Sequence, residues 1–184
     1  MDVHTAIETR RATRSLAPTA VSEELVRDLA EHARLAPSCS NNQPWRFVFV
    51  FDPDRLEALK PVFSEGNRWC HAASLVVAVF SRKDDDCVIR DREYHQFDTG
   101  MASAFLILRA TELGLVAHPI AGFSPKKTRE VLGIPEEYQV ITLIQIGRRA
   151  AEPSPVLSEK QLRDETVRPE RLPLETFAFM NGYR

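Results

Sequence analysis

The sequence predicts an α+β fold, a small mixed sheet packed on helices. Three observations point there. The strand pattern is strong in only three or four segments, chief among them "RFVFVF" (46–51), "LVVAVF" (75–80) and "QVITLIQIG" (139–147). Each is rich in β-branched and aromatic residues and is bounded by turn residues. The stretches between them show helical spacing with recognisable caps, so helices supply the covering layers.

Taken in order, a short helix is expected over residues 2–9. Ser22 is placed to cap a second helix, with Glu23 and Glu24 in the first turn, where the helix dipole favours negative charge. Leu25, Val26, Leu29, Ala30 and Ala33 form its apolar stripe, and Pro37 stops it. After strand 46–51, Asp52-Pro53 starts a helix carrying Leu56, Leu59 and Val62. Strand 75–80 is apolar without alternation, as a fully buried strand is. A link of about ten residues leads to a long helix over roughly 91–113, closed by Gly114. From Met101 to Leu108 that helix is apolar on nearly every face, the pattern of a helix buried on all sides. In so short a chain, a second copy is the natural cover. Ser124-Pro125 opens another short helix that ends at Gly133. Beyond strand 139–147, the stretch 148–184 holds Pro153, Pro155, Pro169 and Pro173, no strong strand, and the hydrophobic end "LETFAFM". It reads as an extended arm that wraps something.

The 184 residues favour one domain, 1–184, with that arm appended. Hydrophobic residues make up 43%, enough for a core, and a net charge of −2 argues against nucleic-acid or polybasic membrane partners. The longest apolar runs are far shorter than the ~20 residues that cross a bilayer. "MDVHTAIETRR" carries no signal-peptide segment. Cys39, Cys70 and Cys87 are odd in number and form no C-x-x-C pair, which argues against a disulfide framework and fits a reducing cytoplasm.

Four stretches could carry chemistry. In "ETRRATRSL" (8–16), Arg10, Arg11 and Arg14 fall within five residues, and guanidinium groups suit phosphate because they donate bidentate hydrogen bonds. Taken alone, such a cluster is more often a solvated basic turn. "LAPSCSNNQPWRF" (35–47) puts five polar residues before a strand, more than a bare connection needs, as a binding loop on a rigid edge does. "HPIAGF" (118–123) brackets small residues with a proline and a glycine, so backbone N–H groups can approach a ligand closely. "RPERLPLE" (168–175) puts Arg168 and Arg171 on the arm, where ordinary tail charges also sit.

Other chemistries lack their patterns. Neither G-x-G-x-x-G nor a P-loop is present. The five histidines never fall in H-x-x-x-H or H-E-x-x-H spacing, so no metal site is expected. Ser38 and Cys39 have no G-x-S-x-G setting. "DDD" (84–86) reads as a solvated turn.

Together and in this order, the four stretches resemble the nitroreductase family of FMN-dependent oxidoreductases. "RRATRSL" looks like its basic phosphate motif, and "APSCSNNQPWRF" is close to its PS-x-x-N-x-QPW-x-F loop, the most specific of the four. "GLVAHPIAGF" is similar to its GLG…PI-x-GF segment, and "RPERLPLE" to its C-terminal K-x-R-x-P signature. The similarity runs from about residue 5 to residue 176.

The resemblance implies a mainly antiparallel sheet between helices, a homodimer with two FMN sites at its interface, and an arm (148–184) wrapping the partner. Arg10, Arg11 and Arg171 would hold the phosphate, beside Ala12. Arg14 would face flavin N1 and O2, where a cation stabilises the reduced ring. Pro119, Ile120, Ala121 and Gly122 would pass along the ring, with the last two offering backbone N–H donors to N5 and O4; many members have glutamate in place of Ala121. Pro37, Ser38, Cys39, Asn41 and Gln43 would cover the flavin of the other subunit.

Two departures stand out. Trp69 falls where many members have lysine, with Asn67 or Arg68 as candidate substitutes. The arm's lysine position is Pro169, so Arg168 is the candidate replacement charge. The short link after strand 75–80 implies a more open pocket than in larger relatives.

The implied activity is reduction of a nitroaromatic or quinone by NADH or NADPH through FMN, in ping-pong fashion, with no side chain as nucleophile or general acid and hence no catalytic residue. The alternatives are another task on the same scaffold (flavin breakdown, dehalogenation, biosynthetic dehydrogenation) or a non-catalytic flavin-binding protein.

Overall fold

The computed structural model describes residues 1–183; Arg184, the last residue of the expected arm, lies outside them. The chain runs α1 (Val3–Thr9), β1 (Leu16–Ala17), α2 (Glu23–Ala33), β2 (Arg46–Val50), α3 (Pro53–Leu59), β3 (Leu75–Ser81), β4 (Val88–Ile89), β5 (Arg92–Glu93), α4 (His95–Glu112), β6 (Val116–Ile120), α5 (Pro125–Leu132), β7 (Gln139–Arg149) and α6 (Glu159–Thr166). The expected caps form. The side chains of Ser22, Asp52 and Ser124 accept the backbone N–H groups of Leu25, Arg55 and Lys127. Gly114 and Gly133 close their helices with φ of 73° and 67°, a conformation glycine adopts without a Cβ penalty.

β7 is the hub of the five-stranded sheet. It pairs with β3 (Leu75 opposite Ile146), with β6 (Val116 opposite Gly147) and, at its far end, with β1 (Leu16 opposite Arg149). β2 lies on the other side of β3, with Arg46 opposite Phe80. Every one of these pairings is antiparallel. All seven residues of β3 are buried, as its unbroken apolar run requires. Its side chains alternate between two cores because successive Cβ atoms point to opposite faces. Leu75, Val77 and Val79 pack with Leu29 and Ala33 of α2 and Leu106 and Ala110 of α4. Val76, Ala78 and Phe80 pack with Leu59, Val62, Trp69 and Leu143. The sheet therefore lies between helical layers.

Two expectations need correction, and the cover expected from a second copy is not supplied by one chain. The long helix starts at His95, because residues 88–93 form the β4–β5 hairpin. It is also not buried on all sides by this chain. Ala102, Leu106 and Ala110 are fully buried, but Phe97 is 64% exposed and Phe105 40%. And 148–184 is not all extended arm: α6 forms there, opened by a capping box between Ser158 and Gln161. Glu165, at its end, is buried against residues 14 and 15 of the same chain. From Val167 on, the chain leaves that support, and Leu172, Leu174, Phe177 and Met180 are exposed.

Candidate functional site

After α1 the chain runs extended from Arg10, and alternation turns Thr13 and Ser15 inward. The Glu165 carboxylate accepts the N–H groups of Arg14 (3.0 Å) and Ser15 (2.8 Å) and the Ser15 hydroxyl (2.8 Å). Arg11 donates to the Asp164 and Glu165 carbonyls at the end of α6, where a cation complements the helix dipole. Arg168 donates to the carbonyls of Glu8 and Arg10. These ties bring the two distant basic stretches together. Arg10, Arg11, Ala12, Arg14, Arg168 and Arg171 line one cavity of about 210 Å³, with Asp164 and Pro169 on its wall. Burial, then the charges of Arg168, Arg171 and Arg11, press the Arg10 guanidinium below its ordinary range. Such a cavity favours a compact anion that many guanidinium groups can share.

His118 is a member of this cavity that the sequence reading did not single out. It sits on β6, buried, with Nδ1 3.0 Å from the Thr13 carbonyl oxygen. Its ring packs on the Trp69 indole at 4.6 Å between centroids. Burial pulls its pKa down to about 4. In "HPIAGF" the proline and glycine carry the local signal, and nothing in the spacing marks the histidine.

At the end of β6, Pro119 and Ala121 are exposed, Ile120 is buried, and Gly122 is held tightly. Its carbonyl accepts the Ser64 N–H at 3.0 Å and the Asn67 side-chain amide at 2.9 Å. A Cβ on Gly122 would lie 2.4 Å from Asn67 Nδ2 and 2.6 Å from Ser64 Oγ. Trp69 Nε1 donates to Asn67 Oδ1 at 3.1 Å and so fixes which way that amide points. Asn67 is therefore engaged by the turn, and Arg68 pairs with Glu65 at the surface. Neither lines the arginine cavity, and Trp69 is core.

The loop 37–43 forms a separate cluster. Ser40, Asn41 and Gln43 all have positive φ, of 50°, 59° and 52°, which non-glycine residues adopt at a cost. Several contacts hold it. Cys39 N–H donates to Asp98 Oδ2 at 2.6 Å, and Gln43 N–H donates to Ser38 Oγ at 2.9 Å. Arg46 bridges the Gln43 carbonyl (3.0 Å) and Asp85 (3.2 Å). Burial, then the nearby Asp86 carboxylate, pushes the Asp98 carboxyl above its usual range. "DDD" is thus more than a solvated turn: Asp85 also accepts from Arg82 at 2.6 Å, and Asp86 accepts from Asn42.

The cysteine expectation is overturned here. Cys39 and Cys87 are disulfide-bonded, with Cα atoms 6.0 Å apart, while Cys70 is free and buried. The register explains it. Arg46 pairs with Phe80, so the loop before β2 and the turn after β3 emerge at the same edge of the sheet. Parity cannot reveal such a pairing.

Within one chain the structure gathers Arg10, Arg11, Ala12, Arg14 and Arg171, and leaves Pro119, Ile120, Ala121 and Gly122, as well as Pro37, Ser38, Cys39, Asn41 and Gln43, off that cavity's wall. Cys39, Asp86 and Cys87 lie close together, but two of the three are consumed by the disulfide. No helix of the described residues is long and apolar enough to cross a membrane.

The chain matches the family model described as "Nitroreductase family" over residues 7–68 and 63–148. It is 26% identical over 206 residues to YdgI of Bacillus subtilis, assigned as an NAD(P)H nitroreductase, covering 92% of each chain. It is 27% identical over 186 residues to a protein named NADH dehydrogenase from Thermus thermophilus, covering 84% of this chain and 90% of that one. Among solved structures, an oxidoreductase described as containing FMN superposes with a TM-score of 0.86 at 28% identity, covering 100% of this chain and 93% of that one. The arginine-lined cavity, the glycine-tight turn after β6 and the polar loop before β2 thus occur in a chain that belongs to the nitroreductase family.

Proposed function

We propose that this protein is an FMN-dependent NAD(P)H oxidoreductase that works as a homodimer. The observation that carries the reading is the convergence of five arginines on one cavity from both ends of the chain. Their donor set fits a phosphate monoester dianion, whose charge offsets the burial and the repulsion from Arg168, Arg171 and Arg11 that depress Arg10. Bound FMN would supply the redox step, taking a hydride equivalent from NADH or NADPH and passing two electrons to a nitroaromatic or quinone in turn.

The chain's own residues bind and orient. Arg10, Arg11, Arg171 and the Ala12 backbone hold the phosphate end. Arg14, which lines the cavity with His118, would put a fixed positive charge toward the ring. Pro119, Ile120 and the N–H groups of Ala121 and Gly122 form a rigid edge for the ring, since the Gly122 carbonyl is pinned from the opposite side. Pro37, Ser38, Cys39, Asn41 and Gln43 belong to a prebuilt loop whose target lies outside its own chain's cavity, as cover for a partner's flavin requires. The open face of α4 at Phe97 and Phe105, and the exposed apolar end of the arm, are surfaces that a second copy would cover. We place the dimer in the cytoplasm, where NAD(P)H is at hand, although a reducing compartment works against the Cys39–Cys87 bridge.

The test is direct. The purified protein should be yellow, carry about one FMN per chain, elute as a dimer, and bleach with NADH or NADPH under anaerobic conditions. A colourless protein that fails to take up added FMN would overturn the reading.

A further inference from the structure

The walls of the arginine cavity are almost entirely donors. Arginine donates five N–H groups and accepts nothing. A phosphate satisfies those donors, but the chain that carries the phosphate in FMN is a polyol, and its hydroxyls need acceptors once water is displaced.

We propose that His118 is a specificity-determining residue that accepts a hydrogen bond from a hydroxyl of the ligand, so that the cavity selects a hydroxylated phosphate monoester over bare phosphate. This rests on the FMN reading and assigns a role within it. The Thr13 carbonyl 3.0 Å from Nδ1 can only accept, so Nδ1 carries the ring's proton. A neutral ring with that tautomer has a lone pair at Nε2, which has no hydrogen-bond partner among the described residues.

The ring stays neutral near pH 7. Burial and the charges of Arg14 and Arg10 oppose protonation, and they outweigh the Thr13 carbonyl and Glu165, which favour it. The ring is also held in place. Trp69 packs against it, and its residue pairs with Gln145 across the strand. Asp164 is the other side chain on the wall that could accept, but its negative charge disfavours an approaching phosphate.

The experiment compares wild type, His118→Phe and His118→Gln, each with FMN stripped, by titration with FMN and with inorganic phosphate. Phenylalanine keeps the aromatic packing and cannot accept; glutamine restores an acceptor. His118→Phe should weaken FMN binding about tenfold, the size of one lost buried hydrogen bond. Phosphate affinity should stay within about twofold by the same reasoning, and His118→Gln should recover most of the FMN loss. Thermal unfolding of each variant shows whether it is folded. Unchanged FMN affinity in folded His118→Phe would overturn the proposal while the FMN reading stands. Equal losses for FMN and phosphate would overturn it too, since His118 would then act on the phosphate or on the shape of the cavity. Wild type that binds phosphate but not FMN would overturn the FMN reading itself, and this proposal with it.

Discussion

The buried carboxyl of Asp98 accepts the backbone N–H of Cys39 at 2.6 Å and thereby fastens the 37–43 loop to the first turn of α4. The loop needs fastening. Three non-glycine residues with positive φ sit within four positions, each costing on the order of 1 kcal/mol or more. Asp98→Ala leaves the Cys39 N–H without its partner and should cost about 1–3 kcal/mol in urea unfolding at pH 7.

The same carboxyl predicts a pH signature. Its folded pKa is raised above 3.8, chiefly by burial, so the native state holds the proton more tightly than the unfolded chain does. Asp98 therefore costs stability progressively as pH rises through the window from 3.8 to its folded value, and the cost is constant above that. Asp98→Asn keeps an acceptor and removes the ionisation. Relative to wild type, it should gain stability between pH 3 and pH 7. Parallel pH profiles for the two proteins would show that Asp98 ionises freely in the fold.

The Cys39–Cys87 bridge spans a sequence separation of 48 residues. Closing a loop of that size in the unfolded chain should stabilise the fold by about 2–4 kcal/mol. Cys87→Ser should lose that amount in non-reducing denaturation and match wild type when both are reduced with dithiothreitol. Equal stability under both conditions would mean that the thiols are unpaired in solution.

Gly122 is a position where only glycine fits without rearrangement, because a Cβ would meet the Asn67 amide and the Ser64 hydroxyl well inside contact distance. Gly122→Ala must push the Asn67 amide off the Gly122 carbonyl, and Trp69 resists because it holds the other end of that amide. The expected cost is about 1–3 kcal/mol, from overpacking and one broken hydrogen bond. Asn67→Ala removes one of the two obstructions and leaves the Ser64 hydroxyl, so the double variant should lose less than the sum of the single losses, as measured by a double-mutant cycle.

What was legible in the sequence follows from what is local. The runs at 46–51, 75–80 and 139–147 are strands because burial on a sheet imposes that composition, and the caps at Ser22, Asp52 and Ser124 act within three residues. β1 has two residues and the β4–β5 hairpin two per strand, too few for any periodicity to show. α6 is polar and shows no apolar stripe; much of its hold on the rest of the chain is Glu165, whose partners lie about 150 positions away. The arginines were legible as clusters, since Arg10, Arg11 and Arg14 are near neighbours. Their meeting with Arg168 and Arg171 depends on that same distant contact. The disulfide depends on strand register and His118 on the fold of β6, and neither leaves a mark in spacing.

Arg14 and Arg171 line the same cavity, and the proposed function gives them different work. Arg14 lines the cavity together with His118 of β6, and in the proposed function it faces the flavin ring. A guanidinium beside N1 and O2 interacts more strongly with the anionic reduced ring than with the neutral oxidised one. Removing it should lower the two-electron potential. A contact worth ~1.5–3 kcal/mol corresponds to a fall of roughly 30–65 mV, at about 30 mV per 1.4 kcal/mol for this couple. Arg171, on the phosphate, faces a charge that does not change on reduction. Arg171→Ala should weaken FMN binding by about 1.5–3 kcal/mol and leave the potential unmoved. Spectroelectrochemical titration of the two FMN-loaded variants separates the roles. An unshifted potential in Arg14→Ala, together with a large loss of FMN affinity, would place Arg14 on the phosphate and leave the ring without a cation from this stretch.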